Sequence, residues 1–530
     1  MIALKKISRA TLLKIFLTVV VVSVSQTIEA QLYFPNESFY NSEIERLNLS
    51  KDSTDFYQNH LTVKPILDKK TEANQIYKSE GKYYYWITQK LFKENFLIFK
   101  GDDFWVSVDP IIDLQLGTDF SEDSLRRLYW NTRGIRVQAK FYDKIAFTTS
   151  VYENQAMVPV YQSDFFNARG EYFPVNTWYK QQNAFVPMYA RTKPFKGNGY
   201  DFAFATGQLS IVPTKWFNLQ LGNGNQFIGD GYRSLFLSDF SGNYPFLKTE
   251  FFAFKGRLQF NSIYSMLTNP YRLKYFNTPE ATYERKIGTF HYLEYALTKR
   301  LNIGLFQGSL YPSTDSTGTQ KVGFSFLNPF VGVNALFGFN MSYRVPKFLG
   351  IKSKVYAQLL FTDNSASASQ IGIKLYDVLL PKLDLRIEYN HIGKNTYLDE
   401  NVRYNYIHNN LALGHPLGPA TKELVWIVNY EFKRFFVSNR ITFYTKTVND
   451  FSNIGADLLQ PKSIYDYASS KHPNVFNSRF EMGYRMNKNY NLQIVLGYLY
   501  RKEIVENISN TTNYVYFGIR TKLMNKTLDW

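Results

Sequence analysis

The 530-residue sequence contains no cysteine. That absence removes a disulfide framework, a thiolate metal site, a cysteine nucleophile and a lipoprotein acylation site, so any attachment to a surface has to come from the fold. Also missing is an unbroken apolar run of the roughly twenty residues that a membrane-spanning helix needs. The N-terminal stretch from Leu12 to Val24 is shorter and is interrupted by Lys14. Although the net charge is +17, no long block of lysine and arginine occurs. Nucleic acid is therefore not an expected partner.

What is present points to a membrane all the same. Aromatic residues make up 18% of the chain, with 41 Tyr and 45 Phe. A soluble core does not need so many, whereas the interfacial girdles of a transmembrane barrel absorb them. The mean hydropathy of −0.29 does not contradict this. A barrel strand shows only alternate residues to lipid and turns the others to a polar lumen.

Residues 1–30 read as a secretory signal, with Lys5, Lys6 and Arg9 before the short apolar core. Gln31 is the predicted mature start, although Ile28 stands where a small residue is usual at minus three. Removing the signal takes away four positive charges and one negative, leaving +14. A basic mature protein suits an anionic neighbourhood of outer-membrane lipid, lipopolysaccharide or surface polysaccharide.

Residues 31–102 are polar with weak helical patterning and are assigned to a periplasmic segment, which could equally pack into the barrel as a plug. From Asp103 onward two-residue alternation recurs. Ile135, Val137, Ala139 and Phe141 alternate with Arg136, Gln138 and Lys140, and Leu385, Ile387 and Tyr389 alternate with Arg386, Glu388 and Asn390. The same period runs through Leu492–Tyr500 and Val515–Leu523. Charge falls on one face, as it must when the other meets lipid. We therefore expect an all-β chain, with residues 103–530 forming a transmembrane outer-membrane barrel of about eighteen antiparallel strands. The terminal Trp530 resembles the C-terminal aromatic signature of such barrels. Long connections at 154–198, 269–286, 311–328, 392–422 and 448–473 are predicted to be extracellular, and short turns such as Phe432–Arg434 periplasmic.

The most distinctive stretch is Gly222–Lys248. Its glycines do not fit a dinucleotide loop, because the GxGxxG spacing fails at Phe227 and Ser234. They fit a loop that folds inward where backbones approach closely, projecting Asp230, Arg233, Asp239 and Asn243 into a confined lumen.

Here the chain resembles the capsule assembly protein Wzi family, and within it the RemB type of gliding-motility protein of Bacteroidetes. The likeness is carried by the block from Gly229-Asp230-Gly231 and Arg233 through Ser238 and Asp239 to Asn243-Tyr244-Pro245 and Lys248. Asn131–Gly134, Tyr152–Ala156, Phe326–Pro329, Glu388-Tyr389 and the run from His408 through His415 to Gly418 add to it. The resemblance covers most of the mature chain in consistent order. It implies a Gram-negative outer-membrane barrel associated with surface polysaccharide or gliding. The helical bundle of enteric Wzi proteins is not evident in residues 32–101.

His408 and His415, near Glu423, are the residues a catalytic or metal reading would use. No nucleophile elbow accompanies them, and seven residues of separation in a loop specify no ligand geometry, so neither an enzyme, a metal nor another cofactor is expected. Sugars suit aromatic platforms flanked by amide, carboxylate and guanidinium groups. Tyr172, Trp178 and Tyr179 beside Arg169 make such a mixture in one predicted surface loop, although the same rings could simply pack against one another. The leading expectation is a noncatalytic protein that binds or organises surface polysaccharide in capsule assembly or gliding. A diffusion channel, motivated by Arg136, Lys140, Arg386, Arg440 and Lys522 on lumen faces, is the alternative. Docking to envelope secretion or motility proteins is a third reading.

Overall fold

The computed structural model describes residues 34–50, 56–66, 76, 82–121, 126–142, 144–175, 178–272, 283–313, 326, 333–348, 350–362, 367–449, 457–463 and 470–530. The signal expected at 1–30 lies outside them, as does most of the Phe326–Pro329 motif.

Eighteen strands close into one antiparallel barrel. They are β1 (Phe104–Asp119), β2 (Arg126–Phe141), β3 (Ile145–Met157), β4 (Gly199–Thr214), β5 (Phe217–Gly224) and β6 (Tyr244–Ala253). Next come β7 (Leu258–Arg272), β8 (Tyr283–Ala296), β9 (Leu301–Pro312), β10 (Val333–Phe348), β11 (Ile351–Thr362) and β12 (Ser367–Tyr376). The wall ends with β13 (Leu383–Ile392), β14 (Thr421–Phe432), β15 (Phe435–Lys446), β16 (Asn474–Asn487), β17 (Leu492–Val505) and β18 (Ile508–Thr521). Each strand pairs with its neighbours in sequence, and β18 closes on β1 with Phe517 opposite Leu116. Closure leaves no unpaired edge in lipid, where an unmet backbone group would cost several kcal/mol.

The alternation in the sequence is the alternation of the wall. On β13, Ile387 and Tyr389 are exposed outside while Glu388 and Asn390 are buried inside. Leu116, Ile135, Leu305, Phe339, Ile371, Trp426, Leu496 and Phe517 extend this apolar belt around the barrel. Trp216, Phe254, Phe432 and Phe435 mark one rim with exposed rings. That rim also carries short turns, at 215–216, 254–257, 433–434 and 488–491. The opposite rim carries the long connections, among them 158–198, 225–243, 393–420 and 447–473.

The lumen is filled from three directions. Residues 34–66, as far as they are described, run inside it: Tyr40 and Ile44 of helix α1 (Ser38–Ser50) are buried with Leu61, Ile111 and Tyr152. Val63–Lys64 pairs with Phe227–Ile228 of the inward loop. Helix α2 (Trp86–Phe92) instead lies across the turn rim, where the Asn487 and Tyr490 side chains donate to the Lys90 carbonyl at 2.8 Å.

From the loop rim, segments 225–243 and 393–420 fold inward and bury Phe236, Phe240, Tyr397, Tyr406 and Leu413 in one cluster. From the turn rim, residues 522–530 double back through the barrel after β18 ends. Trp530 is consequently not an aromatic of the closing strand. Its ring is buried, stacked on Phe165 at 4.0 Å between centroids. The alternation of Val515–Leu523 breaks at the same place: Thr521 and Leu523 are buried because the chain has turned inward.

Candidate functional site

The inward loop between β5 and β6 is keyed to the wall by charge. Tyr232 and Arg233 donate their backbone N–H groups to the two oxygens of Glu388, at 2.6 and 3.0 Å. The Arg233 guanidinium reaches Glu423 at 2.7 Å and Asp529 of the returning C-terminal segment at 3.2 Å. Asp230 pairs with Lys354 and lies within hydrogen-bond reach of Thr62 and Asn340. Burial raises the Asp230 pKa, but the lysines nearby outweigh it and hold the carboxyl below its ordinary value. Glycine is required at 231 because a Cβ there would sit 2.5 Å from a Glu388 oxygen and 2.6 Å from the Arg233 carbonyl. At 229 it would meet the Gln358 amide nitrogen at 3.1 Å.

The rest of the block continues the same work. Ser238 donates its N–H to Leu413 O and its hydroxyl to Gly414 O, both at 2.6 Å. Asp239 accepts from Asn36 at 3.0 Å and Asn525 at 2.9 Å, joining the N-terminal plug to the C-terminal segment. Tyr244 is buried edge-on to His408. Lys248 is buried and pairs with Glu250 at 2.7 Å. Pro245 faces outward: with Tyr244 and Phe246 buried on either side, strand alternation turns it to the outside.

Both histidines hold loops together. His408 stands 3.0 Å from the Asn243 carbonyl through Nε2 and accepts the Thr268 N–H at Nδ1, at 2.9 Å. Burial pushes its pKa down to about 4, so it is neutral at physiological pH. His415 is also pushed below its ordinary value by burial; its Nε2 lies 2.9 Å from Glu423 and its Nδ1 accepts the Leu417 N–H. These partners account for both nitrogens of each ring, so the pair serves as bracing between loops and wall.

The loop rim has its own geometry. Helix α3 (Val160–Asn167) and the hairpin Glu171–Val175/Trp178–Gln182 build the connection between β3 and β4. Tyr172 stacks on Tyr271 at 4.4 Å, tying the hairpin to β7. Trp178 and Tyr179 lie on the hairpin's second strand. Arg169 is fully buried, with its guanidinium 3.3 Å from the Phe165 ring centroid, and burial lowers its pKa to about 9. In this conformation it braces the loop from beneath.

The sequence did not single out Glu171, which anchors the hairpin to Arg191 at 3.1 Å and Arg272 at 3.0 Å. It also missed a cleft of about 550 Å³ between α3 and the β17–β18 hairpin, lined by Tyr161, Asp164, Arg501, Asn510 and Thr511. No local pattern signals it, because its two sides are more than 300 positions apart in the chain and meet only when β18 closes on β1.

The fold is that of Wzi. The Escherichia coli Wzi structure, an outer-membrane protein involved in group 1 capsule assembly and a carbohydrate-binding β-barrel, is matched over 96% of this chain and 97% of its own, with a TM-score of 0.51 and 12% identity. OprD of Pseudomonas aeruginosa matches over 78% of this chain and 94% of its own, at a TM-score of 0.41 and 10% identity. OccAB2 of Acinetobacter baumannii covers 78% and 96%, at 0.44 and 9%. At these identities the likeness concerns architecture, a Wzi-like eighteen-stranded barrel. No family model and no curated protein matches the chain.

Proposed function

We propose that this chain resides in the outer membrane and binds or organises a surface polysaccharide, noncatalytically, through the side bearing its long loops. The observation that carries the reading is the division of labour inside the barrel. The N-terminal segment, two inward loops and the C-terminal segment occupy the lumen, and above them stands a rim with an aromatic hairpin and a polar cleft. The cleft offers what a sugar needs: Tyr161 as a ring and Asp164, Asn510 and Thr511 as hydrogen-bonding groups. The likeness to a carbohydrate-binding barrel supports the reading without identifying the glycan.

Asn510→Ala combined with Thr511→Ala, and separately Trp178→Ala combined with Tyr179→Ala, test it on purified protein and on cells. Loss of at least tenfold in glycan-array affinity, with loss of capsule retention or colony spreading, is the expected result. Wild-type behaviour of both pairs would defeat loop-mediated binding. Which of the two cell phenotypes changes decides between capsule assembly and RemB-like gliding, the latter reading involving envelope motility proteins as partners. A channel is favoured by one observation, the basic chamber described next. A steady ion-selective current through the purified barrel in a planar bilayer would establish it.

A further inference from the structure

Within the lumen, between the inward loop, the N-terminal plug and wall strands that include β12, β13, β15, β16 and β18, lies a cavity of about 120 Å³ lined by eight Lys and Arg side chains against three carboxylates. All three carboxylates are already engaged. Glu45 is paired with Lys374 and Lys354, Asp230 with Lys354, and Glu481 with Arg520. Of the remaining cations, Arg440, Lys522 and Lys526 reach acids behind the lining: Asp529, Glu37 and Asp113.

Three positive charges are left over, one from each of three elements. Arg386 of β13 has no hydrogen bond or ion pair among the described residues, and Glu45 and Glu388 act on it through space. Arg479 of β16 donates to the Leu528 carbonyl at 3.3 Å but leaves its buried Nε without an acceptor among the described residues. Lys64 of the plug donates to the Gly229 carbonyl at 3.2 Å and has no carboxylate of a described residue within ion-pair distance. Burial depresses its pKa to about 8, against the smaller opposing pull of Glu45 and Asp230. These three cations make no direct ion pair among the described residues, although Glu45, Glu388, Glu481 and Asp529 act on them through space, so the chamber keeps room for a further counter-charge.

We propose that this chamber binds a compact oxyanion, a carboxylate or phosphate group, held by Arg386, Arg479 and Lys64. A guanidinium fork matches either group in two-point contact, and the ammonium adds a point charge. The cavity has room for a small anion and accompanying waters. The inference is independent of what the outer loops bind, since its site lies beneath them.

Titration calorimetry on the detergent-purified full chain is the test, with inorganic phosphate, glucuronate and neutral glucose compared at constant ionic strength set by chloride. Saturable binding of phosphate, glucuronate or both, with none for glucose, is expected, and the preferred anion tells a phosphate group from a uronate source. Arg386→Gln and Arg479→Gln should each weaken it at least tenfold while the barrel keeps its heat-modifiable migration in gels. If one variant fails to fold, the other decides. Absence of saturable binding by either anion, or wild-type affinity in a folded variant, overturns the proposal.

Discussion

The two halves of the lumen are packed by different physics. Toward the loop rim the interior is built like a soluble core: Phe236 stacks on Phe306 at 4.7 Å, Tyr397 on Tyr406 at 5.7 Å, and Leu413, Phe240 and Trp530 fill around them. Toward the turn rim it is a lattice of ion pairs, with Glu45 between Lys354 and Lys374, Arg46 against Asp384, and Lys382 against Glu431. The join is the inward loop, which presents aromatic rings to one half and Asp230 and Arg233 to the other. Apolar burial is non-directional and indifferent to salt, whereas ion pairs depend on geometry, protonation and screening. The halves should therefore fail under different insults.

The largest break is expected at the join. Arg233→Met leaves Glu423 and Asp529 buried without their shared cation, a change worth about 3–5 kcal/mol. Urea unfolding in detergent should show the loss, and limited proteolysis should cut 225–243 before the wall opens.

A pH scan sharpens the contrast from the aromatic side. The His408 pKa is depressed in the fold, from 6.5 to about 4, so the unfolded chain binds the extra proton first. Its contribution is complete above about pH 6.5 and is lost as pH falls toward 4, by up to about 3 kcal/mol. His408→Gln should flatten that part of the stability profile, and an unchanged profile would remove His408 from the account.

The smallest effect belongs to the turn rim. Lys382, with a third of its side chain exposed, pairs with Glu431 at 2.8 Å. Lys382→Ala should cost no more than about 1 kcal/mol, and the difference should vanish at about 1 M salt. An equal cost at low and high salt would show that packing rather than charge holds this half.

The wall was legible because its constraint is local. Alternation at Ile135–Phe141 and Leu383–Asn390 reports lipid on one side and polar contacts on the other within a few residues, and the strand count follows from it. The inward loop was half legible: crowded glycines signalled close approach at 229 and 231, but not what approaches. Its partners Lys354, Glu388 and Glu423 lie 124, 156 and 190 positions away, beyond any spacing rule. The C-terminal segment misled for a related reason. A terminal aromatic after an amphipathic strand reads the same whether the chain stops in the wall or turns inward, and only Phe165 and Phe240, brought in by other loops, decide it.

Glu388 carries a consequence for assembly. It accepts two backbone donors from a loop made long before β13 in the chain, and its neighbours Ile387 and Tyr389 point outward. Were β13 to pair one residue out of step, the carboxylate would face hydrocarbon and the loop would meet a greasy side chain. The loop thus acts as a gauge, seating only when the later staves of the cylinder have been laid in the correct position, so that a mis-stitched wall would betray itself by an unseated, protease-sensitive plug.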